Sequence, residues 1–197
     1  WFMLAAQQGQ VNAQVILGEL FKTGEGVERD LNKSYDWYLR AAKQGNNIAK
    51  YMAANLIDSP EVREKDGNFA LKLLEEARAS GEIERGFAEN SIGWIYLQGT
   101  GGARKDYTKS LYWGIEGGKK GATNAYSNVA LQYFAGLGVT QDYNMMVGYL
   151  IKSLENFEEG DDWILREEDE WIAYKKDAPE HFWRPREIYW KYVLHGD

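Results

Sequence analysis

Three Gly-x-Gly loops stand out as places where chemistry could occur: Gly24-Glu25-Gly26, Gly99-Thr100-Gly101 and Gly136-Leu137-Gly138. Such loops can cradle phosphate on backbone N–H groups at a helix start. Here each lacks the preceding strand and the later Gly or Lys that phosphate fingerprints carry, so a turn between helices is the better reading. The two histidines, His181 and His195, sit in no His-Glu-x-x-His motif or other metal spacing. No Ser occupies a Gly-x-Ser-x-Gly elbow. Cys is 0, which removes disulfides, thiolate ligands and Cys nucleophiles together. The residue types argue against an enzyme and for no cofactor and no metal.

The sharpest charged feature lies between Glu155 and Glu170. It holds nine acids, including Asp161, Asp162, Glu167, Glu168, Asp169 and Glu170, against one base, Arg166. That stretch is −8 while the whole chain is −7, so the remainder is about +1. Glu158-Glu159-Gly160-Asp161-Asp162 lacks the spacing of a calcium loop. Two readings remain: a solvated face, or an electrostatic contact for a protein partner with a basic surface. With pI about 5.0, phosphate-driven binding of nucleic acid is not expected. No apolar run reaches the roughly 18–20 residues of a membrane span, so no membrane insertion is expected. No signal peptide is visible, and the chain opens on Trp1.

Periodicity shows which elements must position these residues. Gly9, Gly45, Gly81, Gly121 and Gly160 recur at intervals of 36, 36, 40 and 39. Asp30, Asp66, Asp106 and Asp142 recur at 36, 40 and 36. Between these markers the apolar residues follow helical spacing. Ala13, Leu17, Gly18 and Phe21 share one face, as do Ala88, Ile92, Gly93 and Tyr96, and Ala125, Val129, Ala130 and Tyr133. The small residue (Gly18, Gly93, Ala130) lets a neighbouring helix approach closely. Each periodic Asp is the expected N-cap of a second helix. These helices carry Ser34, Trp37, Tyr38, Ala41 and Ala42, then Ala70, Leu73, Leu74 and Ala77, then Ser110, Trp113 and Gly114. The periodic Gly suits the left-handed position after the helix end.

The run Ala13-x-x-x-Leu17-Gly18-x-x-Phe21-x-x-Gly24-x-Gly26-Val27-x-x-Asp30, continuing to Gly45, resembles the Sel-one-like repeat (SLR) family, relatives of tetratricopeptide repeats. The resemblance covers roughly Trp1 to Glu155. The second unit is degenerate, with Asp58-Ser59-Pro60 where the Gly-x-Gly loop should be. Trp1-Phe2-x-x-Ala5-Ala6-x-x-Gly9 matches a second helix without its first, which reads as a fragment of a longer protein. The expected fold is an all-α right-handed solenoid. Residues 1–155 hold the repeats, in units ending near Gly45, Gly81, Gly121 and Gly160. Residues 156–197 form an acidic linker and aromatic capping helices that include Trp183 and Trp190. Those aromatics suit either an end cap or a docking surface.

The resemblance implies protein–protein interaction. Its sharpest form is a bacterial immunity protein that neutralises a type VI effector, with a scaffold or adaptor of an envelope complex as the alternative. A hydrolase of the kind attributed to some family members is a third class, but those members are Cys-rich. The implied setting is periplasmic, with cytoplasmic as the alternative, and the sequence does not give the oligomeric state. By analogy with tetratricopeptides, the concave, partner-facing positions are Val15, Glu19, Lys22, Tyr51, Asn55, Asn90, Trp94, Leu97, Gln98, Ser127, Leu131 and Phe134.

Overall fold

The computed structural model describes residues 1–63 and 65–154, and these are helices joined by short loops. In chain order they are α1 (Phe2–Gln7), α2 (Val11–Thr23), α3 (Leu31–Lys43), α4 (Asn47–Leu56), α5 (Gly67–Ser80), α6 (Phe87–Gln98), α7 (Tyr107–Lys119), α8 (Asn124–Ala135) and α9 (Tyr143–Leu154). A 3-10 turn, Thr100–Gly102, precedes α7. No strand occurs among the described residues. Each helix packs on the helix before and after it, and α6 also touches α8. That nearest-neighbour pattern is what a solenoid of stacked helix pairs requires.

The periodic aspartates do what their spacing implies. Asp30 accepts hydrogen bonds from the N–H groups of Asn32 and Lys33, and Asp66 from those of Asn68 and Phe69. Asp106 accepts from Lys109 N–H, and Asp142 from Met145 N–H at 3.0 Å. Each satisfies N–H groups that the first helical turn leaves without a partner. The backbone N–H of three of these residues also closes the loop behind it. Asp30 donates to Phe21 O, Asp106 to Tyr96 O and Asp142 to Tyr133 O. Those aromatic positions are equivalent in the repeat, so the three loops share this closing bond, although the loop before α7 is one residue longer and carries the 3-10 turn. At the other end of each unit Gly9, Gly45, Gly81 and Gly121 have φ of +92°, +90°, +74° and +108°. Side-chain-bearing residues rarely adopt that conformation.

Burial follows the helical stripe. In α3 the residues Leu31, Ser34, Tyr35, Trp37, Tyr38, Ala41 and Ala42 are buried. Leu31, Tyr35, Tyr38, Ala41 and Ala42 join Ala49, Ala53 and Leu56 of α4 with Leu71 and Leu74 of α5 in one core that runs through to Ile92 and Ile95 of α6, while Trp37 packs in a second core with Ala13, Leu17 and Phe21 of α2. Each fully buried large side chain there contributes about 1.5–3 kcal/mol. Gly18 shows why one stripe position must be small. A Cβ placed there would lie 2.6 Å from ring carbons of Tyr38. The same close contact lets Ser34 donate its hydroxyl hydrogen to Gly18 O at 2.7 Å.

The degenerate second unit is still a helix pair. Its α4–α5 connection has no Gly-x-Gly loop; instead Ile57 and Val62 are buried, at 1% and 2% exposure, and anchor it to the core. Loops also stack on the preceding unit. Asn32 donates from Nδ2 to Glu61 O and accepts from Arg63 N–H, both at 2.9 Å. One unit on, Gly101 lies against the backbone of Gly67, and further on Gly138 lies against that of Tyr107. The acidic stretch 155–170, His181, His195, Trp183, Trp190 and the expected capping helices all lie outside the described residues.

Candidate functional site

The first helices of the four units, α2, α4, α6 and α8, carry the positions named for partner contact. Their sides are held in register by polar links. The Tyr51 phenol of α4 is hydrogen-bonded to Ser91 of α6, and Asn128 of α8 reaches Asn90 of α6 at 3.5 Å. Burial pushes the Tyr51 phenol up, opposed by its hydrogen bonds with Ser91 and Asn55.

On α2, Glu19 and Lys22 pair with each other at 3.1 Å. Glu19 also accepts the Tyr38 hydroxyl hydrogen at 2.6 Å. That bond, more than Lys22, holds its carboxyl below the usual range, and burial opposes it. Val15 is half-buried against the core. On α8, Ser127, Leu131 and Phe134 are half-buried, and the Phe134 ring lies 6.1 Å from that of Tyr143. Gln98 is exposed.

Leu97 corrects the expectation. It is 3% exposed and unavailable to a partner. It sits one turn after Gly93, on the side of α6 that packs against Ser110 and Gly114 of α7. Gln98, one turn after Trp94 and about 100° round the helix from Leu97, stays exposed.

The structure gathers Asn55, Asn90 and Trp94 into one recess of about 150 Å³ between α4 and α6. It adds three polar residues that sequence reasoning did not place there, Asp58, Ser91 and Thr100, beside the apolar Ala54, Ile57 and Ile95. Asp58 anchors the arrangement. Its Oδ2 accepts the Trp94 indole N–H at 3.1 Å and its Oδ1 accepts the Thr100 hydroxyl at 3.2 Å. Trp94 is therefore half-buried and fixed in orientation, neither free in solvent nor lost in the core. The signal for Asp58 was present in the sequence as the break in repeat text at Asp58-Ser59-Pro60. A break in a repeat frees positions from the repeat's own packing duties.

A second recess of about 590 Å³ lies on the other side of α6, against Leu71, Tyr96, Arg104, Asp106 and Lys109. Two of its polar groups are engaged in capping and pairing, and Asn68 and Lys105 complete its lining. Asp106 caps α7, and Lys109 both pairs with Asp106 at 3.6 Å and lies over the Tyr96 ring. Among the described residues no group of three or more His, Asp or Glu side chains converges as a metal site. Nor, among them, is any helix long and apolar enough to cross a membrane.

Comparison with known proteins agrees with this geometry. The chain is similar to a Sel1 repeat protein from Oxalobacter formigenes, at 30% identity and a TM-score of 0.56, over 75% of this chain and 59% of that one. It is also similar to a protective antigen with an SLR fold from uropathogenic Escherichia coli strains. There the identity is 26% and the TM-score 0.62, over 79% of this chain and 32% of that one. The chain thus spans less than two thirds of either neighbour. No curated protein matches it. The Sel1 repeat model matches residues 11–46, 86–121 and 123–155, passing over the unit in which Asp58 replaces the glycine loop. Those matches cover more than half of the chain and include three of the helix pairs described above, and the chain belongs to the Sel1 repeat family.

Proposed function

We propose that this protein is a non-catalytic protein-binding module that holds a segment of its partner against the first helices, centred on the α4–α6 recess. Sel1 repeats generally mediate protein–protein interaction. The observation that carries the reading is the Trp94 indole, half-buried and oriented by Asp58 at the recess. Trp held rigidly at the rim of a pocket is the residue type that dominates interface energetics, and its fixed orientation lowers the entropy lost on binding.

The specific form proposed is an immunity protein that neutralises a secreted type VI effector in the periplasm. Its support is the family resemblance together with the acidic stretch, which is suited to steering a basic partner. Capture from a native extract with wild-type and Trp94→Ala baits tests the binding reading. A specific partner should be retained by wild type and lost by Trp94→Ala, with circular dichroism unchanged. If Trp94→Ala captures the same partner equally well, the recess is not the binding site. If the partner is no toxin and the chain gives no protection against one, the immunity form is rejected in favour of an adaptor role.

A further inference from the structure

The hydrogen-bond directions around the α4–α6 recess select a ligand chemistry. Four donors at its rim are already spent inside the fold. Asn55 Nδ2 donates to Tyr51 O at 3.0 Å, and the Ser91 hydroxyl donates to Phe87 O at 3.1 Å. The Trp94 and Thr100 donors both go to Asp58. Neutral donors remain on the second N–H of Asn55 and on Asn90 Nδ2, whose Oδ1 accepts from Asn128, while the one ionised group of the recess, Asp58, keeps acceptor capacity. A carboxylate has about four lone-pair sites, and Asp58 uses two, one on each oxygen. Asn55 and Ser91, which the Tyr51 phenol also engages, add neutral acceptor oxygens.

Charge points the same way. Asp58 is exposed and has no cationic partner among the described residues. No Lys or Arg lines the recess. Asp58 also lies two residues beyond Leu56, the last residue of α4. There the helix's final carbonyls add negative potential and favour a cation. The indole ring of Trp94, its N–H edge occupied by the carboxylate, supplies a π face beside that charge.

The geometry points to a site for one cationic side chain, a Lys or Arg of the partner segment, with Asp58 as its counter-charge and Trp94 as its wall. This deepens the binding reading above and rests on it. Asp58 has one role inside the fold, orienting Trp94 and Thr100, and a second toward the partner, to which it presents its unused lone pairs.

The test uses the full chain, labelled with nitrogen-15, and follows the Trp94 indole N–H resonance, identified by its absence in Trp94→Phe. The probes are acetyl-Gly-Gly-Arg-Gly-Gly-amide and its citrulline counterpart, which has nearly the same shape and no charge. The Arg peptide should shift the resonance saturably. The citrulline peptide should bind about tenfold more weakly, the order expected for losing a hydrogen bond between charged groups. Asp58→Asn should erase that difference, and Thr100→Val, which keeps the carboxylate, should preserve it. If Asp58→Asn does not fold, the two peptides on wild type and on Thr100→Val still decide the matter. Equal binding of both peptides overturns the cation site and leaves the binding module standing. No response to either peptide also overturns it. Loss of the module reading itself is seen separately, as failure of the wild-type chain to retain any specific partner, whereas undiminished capture by Trp94→Ala moves the binding site away from the recess and overturns the cation site with it.

Discussion

Replacing Gly18 by Ala adds one methyl group to a helix, and the structure sets the sign of the effect. In isolation the change should help, since Gly costs about 1 kcal/mol relative to Ala in a helix interior. Here the new Cβ would stand 2.6 Å from Cδ1 and Cε1 of Tyr38 and 2.9 Å from Cζ. Carbon pairs rest at about 3.5–4.0 Å, so the ring must retreat by about 1 Å. It has little room to do so, being 1% exposed. Its hydroxyl is also tied to Glu19 at 2.6 Å. Overpacking costs about 1–3 kcal/mol. Weakening a hydrogen bond to a carboxylate costs up to about 1.5–3 kcal/mol more. These exceed the propensity gain, leaving a net loss of about 2 kcal/mol. For a chain of this size that is a fall in melting midpoint of roughly 4–8 °C. Gly148→Ala is the matched control. It adds the same methyl inside α9, where nothing lies within 4 Å of the new Cβ. It should raise the midpoint by roughly 2–4 °C. Thermal melts followed by circular dichroism at 222 nm compare the two. If Gly18→Ala melts at or above wild type, close α2–α3 packing is not what requires the glycine.

Asp30→Ala, Asp106→Ala and Asp142→Ala should each cost about 0.5–2 kcal/mol in urea titrations without changing partner capture. The Asp30 carboxyl is held below its ordinary range, chiefly by the Lys33 N–H, and that of Glu19 chiefly by the Tyr38 hydroxyl. Their stabilisation is therefore complete above the unfolded-state values near pH 4. It is lost as pH falls through the lower folded ones. Glu19→Gln should make stability less sensitive to acid between about pH 4 and pH 2, read from melting midpoints across that range. Lys120 is the partner, at 2.6 Å, of Glu89, which is 2% exposed, whereas Lys119 meets the more open Glu116. Lys120→Met should thus destabilise by about 1–3 kcal/mol and Lys119→Met by less than about 1 kcal/mol, compared in the same urea titrations. Neutralising Glu167, Glu168, Asp169 and Glu170 together should lower the on-rate for a basic partner more than it raises the off-rate. The wild-type on-rate should also fall with salt, since the Debye length is about 8 Å at physiological ionic strength. A flat salt dependence in stopped-flow kinetics would remove steering as their role.

The repeat architecture was legible from sequence because it rests on local rules applied several times over. An Asp that caps the next turn, a Gly that accepts positive φ and an apolar stripe at helical spacing act within a few residues of chain. Their recurrence at Asp30, Asp66, Asp106 and Asp142 carried the phasing through the second unit, where the glycine loop is missing. The small residue at Gly18 was legible too, although its reason, the ring of Tyr38, comes from the following helix. Leu97 and Gln98 show where that legibility stopped. Both were expected to face a partner, yet they lie about 100° apart round the last turn of α6, and only the packing of Gly93 against α7 distinguishes the buried one from the exposed one. Tertiary structure alone brought Asp58 to Trp94, 36 residues away, and to Thr100, 42 residues away. Periodicity specifies which face of a helix is buried within its own unit. It does not specify how a loop that has left the repeat pattern is placed against the next unit, because that depends on side chains such as Ile57 and Val62 finding space in a core built by α3, α4, α5 and α6. The direction of each hydrogen bond in the recess, and so the chemistry that the recess can accept, follows from that placement.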